Sequence, residues 1–220
     1  MPLRAILFDH DGTLVDSEPT HFALWNVVLA RYGFELSEQH YKAYYAGVPT
    51  RANAEDIVLR FGIPADPAAL AAEKNAATAD YLASNAFPLM PGVRETIAEF
   101  SALGLKLAVV TGANARGVQA TLRAHALEPL FSLTVSGDDV RNSKPAPDCY
   151  LLALDRLGLR AGECMAIEDT EHGLRAAAQA GIECIAVPTG MSRHHDSSRA
   201  ATVVDDMAAA ATHVRDALLR

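Results

Sequence analysis

The chain has 220 residues, half of them hydrophobic, with 19 Lys and Arg against 27 Asp and Glu and a formal charge of −8. That length can bury one sizeable core and a smaller second one. The acidic balance argues against a nucleic-acid or anionic-membrane surface, either of which needs a basic patch.

The first predicted element is the apolar run Ala5-Ile-Leu-Phe8, which meets Asp9 and then, two positions on, Asp11 before Gly12-Thr13. This is the pattern of a buried parallel strand stopping at its carboxyl end. The Gly12-Thr13 turn lets the chain curl, so that Asp9 and Asp11 can face one pocket. From Ser17 to about Phe87 the apolar residues fall at helical spacing, as in Phe22, Trp25, Val28, Leu29 and Tyr32 and again in Ile57, Val58 and Phe61. An insert of some 70 residues and about four helices is too long for a simple connection. It is expected to form a separate helical cap over residues 17–87, with 1–16 and 88–220 as the main domain and Pro88 to Gly92 as the return hinge.

From Val93 onward helix and strand alternate. Helices are expected at Val93–Leu103, Asn114–His125, Pro147–Leu157, the stretch ending at Ala180 and Ala208–Leu219. Strands are expected at Leu105–Val110, Phe131–Val135, Cys164–Ile167 and Ile182–Val187. The fold class is therefore α/β, a doubly wound parallel sheet covered on both faces by helices. Ligands of such sheets bind beyond the carboxyl ends of the strands. The polar groups at those ends are Asp9 and Asp11, Thr111-Gly112 and Glu168-Asp169, with Lys144 on the loop before a proline-started helix.

Four acids converging at one sheet edge repel one another. At about 4 Å and an effective dielectric near 20, each like-charge pair costs on the order of 4 kcal/mol, so the site must hold a cation or keep a proton. Oxygen-only donors suit Mg2+, which prefers a few carboxylates plus a substrate phosphate. Asp9 and Asp169 are the natural ligands, and Glu168 either binds the ion or supports those that do. On the other side, the Thr111 hydroxyl and unblocked amides at Gly112 and Ala113 make an anion cradle at a helix start, and Lys144 adds a point positive charge. Together these describe a phosphoryl-transfer site in which one acid attacks phosphorus and the other moves a proton.

Asp9-x-Asp11-Gly-Thr-x-x-Asp16, Thr111-Gly112, Lys144-Pro145 and Glu168-Asp-x-x-x-Gly173 resemble the four motifs of the haloacid dehalogenase superfamily in order and spacing. The helical insert is similar to the small cap of that family's phosphoglycolate-phosphatase-like and beta-phosphoglucomutase-like branch. The resemblance implies that Asp9 is the nucleophile and forms an aspartyl-phosphate. It implies that Asp11 protonates the leaving oxygen, later activates water, and lends its backbone carbonyl to the Mg2+ shell. Thr111 and Lys144 would hold the transferring phosphoryl oxygens, and Glu168 and Asp169 the metal. Two departures stand out: His10 occupies the variable middle position of the first motif, and Thr111-Gly-Ala replaces a more polar Thr/Ser-Asn-Ser run.

Other residues admit both a functional and a plain structural reading. His21 and Trp25 are similar to a His-Phe-x-x-Trp run of the mutase branch, or are a packing pair of the cap core. Arg51, in Gly47-Val-Pro-Thr-Arg51, is either a second anion contact or a solvated helix-start arginine. Asn114 and Arg116 either touch the leaving group or, for Asn114, cap a helix. His194-His195 reads as a solvated loop pair without a third metal ligand, and Cys149, Cys164 and Cys184 as buried free thiols. Met1-Pro-Leu-Arg4 leads into the first strand with no signal-peptide pattern, and no apolar run approaches about 18 residues, so a soluble cytoplasmic protein is expected.

The expected activity is Mg2+-dependent hydrolysis of a small phosphorylated metabolite, a sugar phosphate or a phosphoglycolate-like acid, by a monomer or weak homodimer. A sugar phosphomutase is the alternative. That branch usually carries a lysine just before the cap-loop glycine, where this chain has Ala46, which favours hydrolysis. Carbon–halogen cleavage would need neither Asp11 nor the Glu168-Asp169 pair, and a silent phosphate-metabolite binder would not need the complete catalytic set.

Overall fold

The computed structural model describes residues 2–219. In chain order it contains β1 (Ala5–Phe8), α1 (Glu18–Leu29), α2 (Glu38–Tyr44), α3 (Thr50–Phe61), α4 (Pro67–Ser84) and α5 (Val93–Ala102). There follow β2 (Lys106–Val110), α6 (Ala115–Ala124), β3 (Leu133–Val135), α7 (Asp148–Leu157), β4 (Cys164–Glu168), α8 (Glu171–Gln179), β5 (Glu183–Ala186), β6 (Thr202–Val203) and α9 (Met207–Leu218). The chain divides into two compact units, Met1–Asp16 with Pro88–Arg220, and Ser17–Phe87.

In the first unit all six strands form one sheet in the order β3-β2-β1-β4-β5-β6, and every pairing is parallel. Strand β1 is central: Ala5 is in register with Lys106 of β2 on one side and with Cys164 of β4 on the other. Its four residues are wholly buried because both faces are covered. Ala5 and Leu7 belong to a core with Tyr150 and Ala153 of α7 and Leu174 and Ala177 of α8. On the opposite face the Phe8 ring packs 6.1 Å from Phe100 of α5 and 6.0 Å from Phe131. Side chains of this size each contribute about 1.5–3 kcal/mol when buried, which is why an uninterrupted apolar run is needed at the centre.

The chain steps outward from β1 to β2 and β3 on one side and through β4 to β5 and β6 on the other. The order of connection thus reverses beside β1, the point at which ligands of such sheets bind beyond the carboxyl ends. At that end Asp9 continues the ladder, its N–H donating to the Ile167 carbonyl at 3.0 Å. The chain then turns: the amides of Leu14 and Val15 both donate to His10 O. Residues 14–16 run beside 88–90, tied by Asp16 N–H to Pro88 O at 2.8 Å and Met90 N–H to Leu14 O at 3.0 Å.

The second unit is four helices plus a single 3-10 turn at Ala30–Tyr32. Helix α2 is capped by Ser37, whose hydroxyl accepts from His40 N–H, and α4 by Asp66, with Pro67 in its first turn. Its interior holds Trp25, Val28, Leu29, Tyr41, Ile57 and Leu70. The short edge strand β6 follows the loop of His194 and His195 and was not expected from the sequence. With two residues it carries too little pattern to be seen there.

Candidate active site

Two strand ends and one loop build the site. Asp9 follows β1, Glu168 ends β4 and Asp169 follows it, and all three side chains are buried. One oxygen from each lies within 4.8 Å of the other two, the one such group of potential metal ligands among the described residues. Lys144 reaches it from the loop before α7. Its ammonium donates to Asp9 Oδ1 and Glu168 Oε1, both at 2.6 Å, and to the Val110 carbonyl at 2.7 Å. The Tyr150 hydroxyl donates to the same Glu168 Oε1 at 2.6 Å.

Close glycines allow this crowding. Gly12 has φ +82°, and a Cβ there would stand 2.3 Å from Asp169 Oδ2. A Cβ on Gly173, in the first turn of α8, would stand 1.9 Å from Glu168 Oε2. The spacing Glu168-Asp-x-x-x-Gly173 is therefore a steric requirement, since only hydrogen fits between the helix and the carboxylate.

Three carboxylates and one ammonium would leave two negative charges in a buried pocket were every carboxyl ionised. Burial pushes the Glu168 carboxyl up to about 7, against the pull of Lys144 and helped by Asp9. For Lys144, burial favours the neutral amine, but Asp9 and Glu168 outweigh it and hold the ammonium above its usual range. Glu168 Oε1 takes two donors, whereas its buried Oε2 has no hydrogen-bond partner. An all-oxygen donor set, residual negative charge and an unsatisfied buried carboxylate oxygen fit a hard divalent cation.

The other sequence-predicted residues fall into place differently. Three carboxylates converge rather than four: Asp11 stands outside the group, at the start of the turn, with its side chain 24% exposed and Oδ2 3.4 Å from His10 Nδ1. Thr111 is buried at the end of β2, but its Oγ1 accepts the Ala113 N–H at 3.1 Å. The Ala113 amide is thus engaged locally and not open as expected, and of the two expected amides it is Gly112 that belongs to an exposed residue. Asn114 caps α6, accepting Gly117 N–H at 2.8 Å, and the next amide, Ala115, donates to Asp138. The capping reading of Asn114 accounts for its geometry.

Within the helical unit, His21 Nδ1 lies 3.1 Å from Lys74 Nζ, and its ring meets Phe87 edge-on. Trp25 is buried core. Arg51 is exposed and pairs with Glu55 one turn along α3 at 3.2 Å, as a solvated helix-start arginine would. His194 and His195 meet edge to face in a loop, without joining any three-ligand group among the described residues. The three cysteines are free and buried.

Tyr150 was missed in the sequence. It sits six residues after Lys144 on the buried face of α7, where an aromatic reads as core and its hydroxyl gives no separate signal. Among the described residues, no helix is long and apolar enough to cross a membrane.

The model of the family described as haloacid dehalogenase-like hydrolase matches residues 6–187, a span containing all three carboxylates, Lys144 and Gly173. Protein CbbY of Rhodobacter capsulatus is 34% identical, over 96% of this chain and 97% of its own. The fructose-1-phosphate phosphatase YqaB of Escherichia coli K12 is 35% identical, over 83% of this chain and 95% of its own. A crystal structure of a CbbY mutant from Rhodobacter sphaeroides in complex with xylulose-(1,5)bisphosphate shares the fold. Its TM-score is 0.83 and its identity 30%, over 94% of this chain and 95% of that one. With the sheet order, the strand-end carboxylates and the family match in agreement, the chain belongs to the haloacid dehalogenase-like hydrolases.

Proposed function

We propose that the protein is a Mg2+-dependent phosphatase of a small phosphorylated metabolite, a sugar phosphate before a phosphoglycolate-like acid. The observation that carries this reading is the Lys144 ammonium shared between Asp9 and Glu168 beside Asp169. It joins a candidate nucleophile, a cation site and a phosphate-binding charge in one buried pocket. Support for a sugar phosphate comes from the relatives, one named for fructose 1-phosphate and one bound to a xylulose bisphosphate.

In this reading an Asp9 carboxylate oxygen attacks phosphorus and the ester P–O bond breaks. Asp11 gives its proton to the departing alkoxide. Asp11 then takes a proton from water, the water oxygen attacks phosphorus, and the bond to Asp9 breaks, releasing inorganic phosphate and restoring both acids. The partial exposure of Asp11 suits a group that exchanges protons with a leaving group and water. Lys144, the Thr111 hydroxyl and the Gly112 amide hold the phosphoryl oxygens, and Lys144 offsets the charge that Asp9 must bring to an anionic substrate. Asp9, Asp169 and Glu168, with the Asp11 carbonyl, would hold Mg2+, which when bound neutralises charge on the phosphoryl group. In the same reading the helical unit takes part in choosing the substrate, with His21 and Arg51 as its candidate residues.

The test is a screen of phosphorylated metabolites, glucose 1-phosphate and fructose 1-phosphate among them, that scores phosphate release and isomer formation in Mg2+ and in chelator. Phosphate release that stops with chelator supports the reading. Isomer without free phosphate would make the protein a mutase.

A further inference from the structure

The two oxygens of Glu168 are treated unequally. Oε1 accepts both the Lys144 ammonium and the Tyr150 hydroxyl at 2.6 Å, while Oε2 is buried with no hydrogen-bond partner. Lys144 already neutralises this carboxylate and would do so from a range of positions, because an ammonium is a nearly isotropic donor. The phenol is different. Tyr150 is wholly buried on α7, packed in the core with Leu174 and Ala177 of α8, so its oxygen has one place to be. The Lys144 ammonium also lies 5.2 Å from the Tyr150 ring centroid, so the ring limits where the lysine can move. From the far side Gly173 leaves space for Oε2 and no more.

We infer that Tyr150 is a positioning residue for the cation site: by pinning Oε1 of Glu168 it leaves Oε2 as the oxygen offered to the divalent ion. The inference rests on the proposed Mg2+-dependent reading of this pocket. A carboxylate held by two donors on one oxygen cannot rotate to present that oxygen, so its remaining lone pairs keep a fixed direction. Partners of this kind, one bond removed from the metal, typically change metal affinity by about 10–100-fold when removed. Tyr150→Phe keeps the ring and its packing and deletes only the donor.

The test is calorimetric titration of the full chain with Mg2+ alone, for the parent, Tyr150→Phe, Glu168→Gln and the double variant, with thermal melts in chelator. Tyr150→Phe is expected to weaken Mg2+ binding about 10-fold and to raise the half-saturating Mg2+ for turnover by more than it lowers kcat. In the Glu168→Gln background the same substitution should cost little further affinity, because Tyr150 acts through Glu168. Parent-like affinity in Tyr150→Phe overturns the inference alone. So do losses that add in the double variant, since a general structural defect would add. A parent chain that binds no Mg2+ overturns the proposed function and this inference together.

Discussion

Gly173 and Glu168 approach so closely that a methyl on the glycine would overlap the carboxylate, 1.9 Å from Oε2 and 2.1 Å from Cδ. In an ordinary helix Gly→Ala is stabilising by up to about 1 kcal/mol. Here Glu168 is held by Lys144 and Tyr150 and cannot swing aside freely. Gly173→Ala should therefore destabilise by about 1–3 kcal/mol, as overpacking does, and weaken Mg2+ binding. A urea midpoint at or above that of the parent would show that the carboxylate relaxes without cost.

Asp9→Asn keeps the shape of the side chain and removes the attacking oxygen. Turnover should fall on the order of 10⁴-fold or more, as when other catalytic nucleophiles are deleted, with the far-UV spectrum unchanged. Steady-state phosphate release within about tenfold of the parent would remove Asp9 from this role.

Lys144→Met leaves three buried carboxylates without their internal cation. Removing one partner of a buried pair costs about 3–5 kcal/mol, so the variant should lose that much stability in chelator. It should recover part of it in Mg2+, because a ligand bound only by the folded state stabilises it. Equal urea midpoints for variant and parent in chelator would mean that the Lys144 ammonium does not offset the buried carboxylates.

Asp139 tests the electrostatics away from the site. It accepts the Ser136 hydroxyl and backbone N–H and pairs with Arg156, which together hold its carboxyl below the usual range. A carboxyl depressed in the folded state stabilises above its unfolded pKa of about 3.9, and that contribution disappears as pH falls through the folded value. Asp139→Asn should cost about 1 kcal/mol at pH 7 and progressively less as the pH falls below about 4. A penalty that persists unchanged at pH 2 would mean the hydrogen bonds do not depend on charge.

What could be read in advance follows from how far each interaction reaches along the chain. The central strand, the alternation after Val93 and the polar strand ends are local patterns, and each strand and helix expected in that half is observed within a few residues of its expected bounds. The two-residue β6 forms by pairing with β5 and has no pattern of its own. Asp9, Lys144, Glu168 and Asp169 could be anticipated because each sits at a strand end or on its loop. The engagement of the Ala113 amide by Thr111 depends on one loop conformation, which residue types do not specify. Tyr150 was hidden for a different reason: its ring satisfies the core pattern, and its hydroxyl acquires meaning only when the folded sheet brings it to Glu168 at the end of β4.

In the proposed function Asp9 receives the phosphoryl group beside a divalent ion held with Asp169. A crystal structure of the full chain with Mg2+ and beryllium fluoride, a mimic of a phosphoryl group on a carboxylate, tests it most directly. The account predicts beryllium fluoride on an Asp9 oxygen, with Mg2+ bound by the other Asp9 oxygen and by Asp169. Beryllium fluoride on another residue, or an ion that does not touch Asp9 and Asp169, would contradict it.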